Sequence, residues 1–456
     1  MGTKNYITAI EIGSSKVAGV IGLETYEGIK IIAYACEPVE GFISKGVVRN
    51  VDATSACLTN IINRLETQLD NKINIEKAYI NIAGLSVHSI KSTIKREFDE
   101  YKKITPEIID ELALDNENQF VVPEGYQKVQ VIVQEYKLDG AINTAPTGFH
   151  TRCIECSYLN IVIKEQFMKQ LCESFEMAKI VIADSFCAAK IDADNLLNKD
   201  DKRNCALVNM GAETTTISIY RDELLRKLVV IPLGGENITK DICAEQVSRE
   251  EAEQLKIFKG YNSTIPDNST ISNEVLNKII AARVEEILQN IKHQIITSGE
   301  KVTQILFTGG AARLKNLAQL IKEQLPTFST RIIVEPSLNS FSDRSLYLAE
   351  GAITPTLFGL LSTGKENCCR ETMPKEPVKP VQIELFPVEE PQEEPGKVAE
   401  PEKKEPKKES KTPKNPKSTG GGLFVNFFGQ FINKGKEALE DLKTNITETE
   451  GESDDE

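Results

Sequence analysis

The sequence predicts an α/β protein of two related lobes with an inserted subdomain, followed by a disordered linker and an amphipathic helix. Three observations predict it. Apolar strand-like runs alternate with helix-period stretches such as Thr54 to Leu69 and Glu274 to Ile296, the pattern of an α/β architecture. A strand, glycine turn, strand signature occurs twice, at 6–21 and 205–220, which implies two related halves. Near residue 365 the composition shifts abruptly to Pro, Glu and Lys, a chain too poor in apolar residues to bury a core.

With 456 residues and 40% hydrophobic content the chain can bury a large core, and such a length is a prior for two or more domains. A net charge of −14 argues against nucleic-acid binding, which needs a basic surface to displace counterions. Proteins, nucleotides with Mg²⁺, or lipid are the expected partners. Met1 to Tyr6 runs straight into a strand-like stretch and reads as lacking an export signal. Gly2 suggests myristoylation, but Tyr6 stands where that motif requires Ser or Thr, so the reading fails. Ten cysteines are scattered, with Cys36, Cys57, Cys172, Cys187, Cys205 and Cys243 in apolar surroundings. They read as reduced thiols acting as small hydrophobes, with no disulfides expected. Cys153 and Cys156 with His150 offer three zinc ligands without the usual second pair. The preferred reading is a strand start leading into Leu159 to Ile163.

The segment 84–163 carries strand-like runs, Val87 to Phe98 and Val129 to Leu138, around a helical Pro106 to Asn116, and reads as an inserted α/β subdomain. The linker, 365–419, is acidic in its first half and basic in its second, from Lys403 to Lys417; such segregation is read as solvation.

In each echoed copy an apolar strand reaches Glu11 or Asn209, then a turn with small hydroxyl residues: Gly13, Ser14, Ser15 and Lys16 in one, Gly211, Ala212, Glu213, Thr214 and Thr215 in the other. Glycine lets backbone N–H groups approach a phosphate, and hydroxyls add donors. One such hairpin alone is most simply a turn; two, a domain apart, can clamp a polyphosphate in a cleft between lobes. Gly234, Gly235, Glu236 and Asn237 precede a helical stretch, as do Gly309, Gly310, Ala311 and Arg313. A glycine pair there permits close approach of a purine and leaves helix N-terminal donors free, or it is only a helix-starting turn. Glu253 and Lys256 lie three apart on one helical face, the spacing of a surface ion pair.

These segments, in this order, resemble the FtsA family of actin-like ATP-binding proteins over residues 6–362. The resemblance implies an actin-like two-lobed ATPase fold. Its first lobe is 1–83 and 164–204, with the FtsA-type insert 84–163 opened by Asn81 to Gly84. Its second lobe is 205–235 and 300–364, with an outer subdomain at 236–299. ATP and Mg²⁺ are the implied ligands, with Gly309 to Arg313 at the adenosine and Glu253 and Lys256 on the ribose or adenine side. The family uses an acidic residue in each phosphate loop to hold hydrated Mg²⁺, without direct ligation by the protein. Here Glu11 fills the first role, but Asn209 has lost the second charge, so slow or absent turnover is expected. Asp184, after the apolar run Ile180 to Ala183, is the residue read as positioning water, with a helix N-cap as the alternative.

At 420–442, after the linker, Leu423, Phe424, Phe427, Phe428, Phe431, Ile432 and Leu439 share one helical face, opposite Asn426, Gln430, Asn433, Lys436 and Glu437. The segment is too short and its polar face too full to span a bilayer. Packing on a protein is the ordinary fate of such a helix; a long tether and four phenylalanines favour the membrane interface. Lys434 adds attraction to anionic lipid, which the acidic tail 443–456 opposes. Single-copy binding would be weak, and polymerisation would multiply it. The resemblance implies such a polymer, a filament at the division site on the cytoplasmic face of the inner membrane. It also implies recognition of the FtsZ C-terminal peptide by the outer subdomain around Glu274 to Ile296, where Arg283 and Lys292 are candidates, and contact with other division proteins. The rivals are a soluble phosphotransferase, which has no use for an anchor helix; a chaperone ATPase, which needs a β-rich domain after the ATPase body; and a pilus-assembly actin homologue, which would lack the tethered helix.

Overall fold

The computed structural model describes residues 4–69, 72–261, 271–333, 341–343 and 353–371. The linker beyond 371, the helix 420–442 with Leu423, Phe424, Phe427, Phe428, Phe431, Ile432, Lys434 and Leu439, and the acidic tail lie outside them.

The chain opens with a meander of β1 (Tyr6–Ile12), β2 (Lys16–Thr25) and β3 (Gly28–Pro38). A small hairpin follows, β4 (Ile43–Ser44) and β5 (Val47–Val48), then helix α1 (Val51–Gln68), β6 (Ile73–Ile75) and β7 (Lys77–Ile82). Asn50 starts α1 by accepting the Ala53 N–H, satisfying one of the donors a helix N-terminus leaves open. The insert then runs through β8 (His88–Lys103), α2 (Pro106–Gln119), β9 (Tyr126–Leu138), β10 (Ala141–Asn143) and β11 (His150–Lys164). It forms its own antiparallel sheet in the order β10-β9-β11-β8. Cys153 and Cys156 fall three apart on β11, hence on opposite faces, so they cannot chelate one ion together.

After α3 (Glu165–Met177), β12 (Val181–Cys187) and α4 (Ala188–Leu196), a second meander begins with β13 (Asn204–Met210), β14 (Thr215–Arg221) and β15 (Leu224–Ile231). Helices α5 (Gly235–Cys243), α6 (Arg249–Gln254) with its π-helical extension Leu255–Lys259, and α7 (Asn273–Thr297) follow. Next come β16 (Gln304–Thr308), a 3₁₀ turn (Ala311–Arg313), α8 (Leu317–Gln324), β17 (Ser329–Ile332) and β18 (Phe341–Asp343). On α7 the buried stripe Leu276, Ile280, Val284, Ile287, Leu288, Ile291 and Ile295 repeats every three or four residues and packs into the second-lobe core, as a helix period of 3.6 requires.

The two large sheets share one plan. Their orders are β12-β7-β1-β2-β3-β18 and β15-β14-β13-β16-β17, each an antiparallel meander extended beyond its first strand by two parallel strands, with β18 added parallel to β3 at the other edge of the first sheet. The echoed sequence is therefore the first hairpin of each sheet.

The end of the folded body departs from the sequence expectation. Strand β18 joins β3, α9 (Pro355–Thr363) packs on α4 and β1, and β19 (Cys369–Glu371) pairs with β6. The second lobe thus ends near 333 rather than at 364, because the apolar face of α9 completes the first-lobe core, with Leu357, Phe358, Leu360 and Leu361 buried. The described body also includes residues 365–371, which read as linker from the sequence: Cys368 and Cys369 are buried, and composition alone does not reveal a three-residue strand.

Candidate functional site

Residues Gly13 to Ser15 form the tip of the β1–β2 hairpin, and Gly211 to Thr214 the tip of β13–β14. Each tip closes the same way: Gly13 N donates to Lys16 O at 3.1 Å and Gly211 N to Thr214 O at 2.9 Å. The β4–β5 turn ties both tips together. Gly46 N donates to Ser14 Oγ at 2.7 Å, and Lys45 N donates to a Glu213 carboxylate oxygen at 2.5 Å. Lys45 and Gly46 have φ of 54° and 70°, a left-handed pair that points consecutive N–H groups the same way.

Below the tips lies a carboxylate pair. Glu11, near the end of β1, accepts a short hydrogen bond from Thr354 Oγ1. Burial pushes its carboxyl up to about 7; the Thr354 bond opposes this, neighbouring Asp192 adds to it, and Lys16 opposes it again. Asp192, on α4, is 1% exposed. It accepts from Thr356 Oγ1 and from Asn209 Nδ2, each at 2.7 Å, and burial pushes it up to about 6 against those two bonds. Sequence reasoning missed Asp192. Its only local signal is an acid at a buried position of a helix otherwise faced by Ala189, Ile191 and Ala193.

Asp184 is neither the helix N-cap nor close to this pair. It sits inside β12, which continues through Phe186 and Cys187 to place the cap of α4 at Cys187. In register it is level with Tyr79 and Ala9, two residues short of Glu11, or about 7 Å along the strand. Ligands of open α/β sheets lie beyond the carboxyl ends of the strands.

The glycine segment before α5 also differs from expectation. Its helix donors are not free: Gly235 N donates to Gly211 O at 2.9 Å and Glu236 N to Ala212 O at 2.7 Å, while Gly234 N is taken by Asn237 Oδ1 at 2.9 Å. These residues brace the second glycine hairpin instead of presenting free donors. A Cβ on Gly234 would lie 2.5 Å from Ala212 O. The Glu236 carboxylate is held by both Arg249 guanidinium nitrogens, at 2.5 and 2.9 Å.

Other segments do converge. Lys256 Nζ reaches Glu253 Oε2 at 2.6 Å, Thr239 Oγ1 at 2.8 Å and Gly235 O at 3.3 Å. A Cβ on Gly235 would sit 3.1 Å from Ala311 Cβ. Glu253, Lys256, Gly235 and Ala311 therefore share one corner. Burial pushes the Glu253 carboxyl up, but the Lys256 and Thr239 bonds outweigh it and hold the group below the usual range. Gly309, with φ of 95°, lies against Asn209, whereas a Cβ on Gly310 would meet nothing within 4 Å. Arg313 is exposed at the end of the 3₁₀ turn. Arg283 of α7, offered from sequence as a partner contact, is committed to Asp241 through bonds of 2.6 and 2.9 Å.

This donor set fits a magnesium-bound polyphosphate. It has two glycine tips, a carboxylate and an amide at the strand ends, an open glycine, and Thr308 Oγ1, buried beside Asn209 in register with no hydrogen-bond partner. Among the described residues no three His, Cys, Asp or Glu side chains are grouped to hold a metal directly.

Residues 206–350 match the family described as cell division protein FtsA. The chain is 25% identical over 354 residues to the cell division protein FtsA of Porphyromonas gingivalis, covering 69% of this chain and 70% of that one. It is 27% identical over 350 residues to that of Bacillus subtilis, covering 71% and 78%. Among solved structures, the PilM-PilN type IV pilus biogenesis complex superposes with a TM-score of 0.56 at 15% identity, covering 78% of this chain and 97% of that one, a likeness of fold. With its duplicated sheets and paired glycine hairpins, the chain is similar to the FtsA-type actin-like proteins.

Proposed function

We propose that this actin-like cell division protein binds ATP with Mg²⁺ between its two hairpin tips and assembles into a filament. In this reading it holds FtsZ, by its C-terminal peptide, at the cytoplasmic face of the inner membrane through the helix 420–442. The observation that carries the nucleotide reading is the pairing of the tips, Gly13 to Ser15 and Gly211 to Thr214, from two separate sheets across one carboxylate pair. Backbone N–H groups at the tips would hold the phosphates, with Ser14 and Thr214 hydroxyls adding donors. Glu11 and Asn209 would accept from water on the metal, and Glu253, Lys256 and Gly310 would border the nucleoside. Bound Mg²⁺ would neutralise phosphate charge. With a carboxylate at only one of the two strand ends, Glu11 but not Asn209, turnover would be slow or absent.

The membrane part rests on the amphipathic pattern of Leu423 to Leu439 and on the division-protein relatives. A soluble phosphotransferase is not favoured, and a pilus-assembly protein would share the fold but have no use for the tail. Flotation with anionic liposomes tests the whole, using the full chain, a chain ending at Thr419, and Phe427→Asp, each with and without ATP. Flotation of the intact chain alone, stronger with ATP, is expected. If every version stays in solution, the helix docks on a protein and the anchored-filament reading fails.

A further inference from the structure

The second phosphate loop carries an amide, Asn209, where a carboxylate would present two acceptors, so which end of the amide faces its surroundings decides what it can do. Asn209 Nδ2 donates to Asp192 Oδ2 at 2.7 Å. A carboxylate only accepts, so this bond directs the amide nitrogen toward Asp192 and keeps Oδ1 available as an acceptor. Asp192 is itself fixed, since Thr356 Oγ1 donates to its other oxygen at 2.7 Å and the residue is 1% exposed. On the opposite side Asn209 Oδ1 lies beside Gly309, 2.4 Å from where a Cβ on that glycine would stand. Thr308, level with Asn209 on the neighbouring strand, has a buried hydroxyl with no hydrogen-bond partner.

We propose that Asp192 is a positioning residue for the nucleotide site: it sets Asn209 as an acceptor for water carried by the magnesium ion of a nucleoside triphosphate. It thereby stands in, from helix α4, for the carboxylate that β13 does not carry at position 209. This rests on the nucleotide reading above. Thr356 completes the relay, α9 to α4 to β13, so elements of both sheets meet at one amide.

The test compares the Mg²⁺ dependence of nucleotide affinity, the ratio of Kd for a fluorescent ATP analogue in EDTA and in magnesium, across four full-length proteins. These are the wild type, Asp192→Asn, Asn209→Asp and the double exchange, each also melted without nucleotide. In Asp192→Asn the new amide can donate to Asn209 Oδ1 and turn it, so about tenfold of the magnesium enhancement should be lost, the worth of one charge-assisted hydrogen bond. Asn209→Asp alone sets two carboxylates side by side and should lower the Tm. The double exchange should restore both readouts, because the amide moved to α4 would donate to the carboxylate moved to β13 and leave an acceptor free there. If Asp192→Asn melts lower but keeps the wild-type magnesium ratio, Asp192 only supports the fold and the proposal is overturned. The proposal also fails if wild-type protein binds nucleotide without regard to magnesium, while failure to bind any nucleotide would remove the underlying reading as well.

Discussion

Two glycines, Gly234 and Gly310, should respond to the same substitution in opposite ways. At Gly310 the backbone is helical, φ −61° and ψ −43°, and an added methyl meets nothing within 4 Å. Gly310→Ala should leave stability unchanged or raise it by about 0.4–1 kcal/mol through the unfolded chain. If a purine sits over this turn, the methyl crowds it at about 1–3 kcal/mol, or roughly 5- to 150-fold in affinity. At Gly234 the methyl would stand 2.5 Å from Ala212 O and 2.7 Å from Gly211 O. Both atoms are backbone and no side chain can yield, so α5 or the phosphate loop must shift. Overpacking of that kind costs about 1–3 kcal/mol, several degrees of Tm in a domain of this size. Calorimetry and titration with a fluorescent ATP analogue read both effects. A stable Gly310→Ala protein with wild-type affinity would refute the seat at 309–311. A Gly234→Ala protein with unchanged melting would refute the close packing of α5 on the loop.

The carboxylate pair makes the nucleotide-free protein pH-sensitive. Glu11 titrates near 7 and Asp192 near 6 in the fold, against about 4 to 4.5 when unfolded. The folded state therefore keeps protons that the unfolded chain releases, and stability present below about pH 4 is lost as pH rises to about 7. Urea midpoints should fall across that window and flatten in Glu11→Gln; a midpoint equally steep in both proteins would count against the pair. A second expectation concerns Glu213, whose carboxylate accepts from Lys45 N at the phosphate-loop tip. Glu213→Gln keeps an acceptor there and removes a charge that would repel polyphosphate, so affinity for ATP should tighten by about 3- to 10-fold at low salt. No change would mean that phosphates do not approach this side chain.

What the sequence made legible were features written in neighbouring residues. Gly13 and Gly211 announce their hairpins because alternation and turn chemistry are local, and the stripe from Leu276 to Ile295 announces α7 for the same reason. The shared strand order of the two sheets was legible only at those hairpins. Features that depend on distant partners were lost. Asp192 is surrounded in sequence by Ala and Ile, and its partners Asn209 and Thr356 come from another sheet and another helix. Asp184 was misread because an apolar run stopped at Ala183, while β12 continues through a register shift near Asp184 to Cys187. Glu236 looked like ligand chemistry beside a glycine pair until Arg249, further along the chain, took its carboxylate. The return of α9 to the first lobe was hidden because a short apolar helix carries no mark of the sheet it covers.

The placement of the carboxylates has a mechanical consequence. Helices α4 and α9 are joined by more than side-chain packing. Asn195 Nδ2 donates to Pro355 O at 2.9 Å, and a Cβ on Gly359 would fall 2.0 Å from Ile191 Cγ2, so the Ile191 side chain packs where only a glycine leaves room. Asp192 lies on this crossing, and its bond to Asn209 ties the second sheet to it. The hairpin tips, by contrast, meet through single hydrogen bonds from the β4–β5 turn to Ser14 and Glu213. A densely packed crossing resists deformation, whereas tips held by single bonds separate at small cost. A change in the angle between the sheets therefore pivots near α4 and α9 and opens at the tips. A metal-bound polyphosphate would touch both places at once, phosphates at the tips and metal water at Asn209, and so could couple occupancy of the cleft to the angle between lobes, which is the variable a filament of such subunits would have to fix.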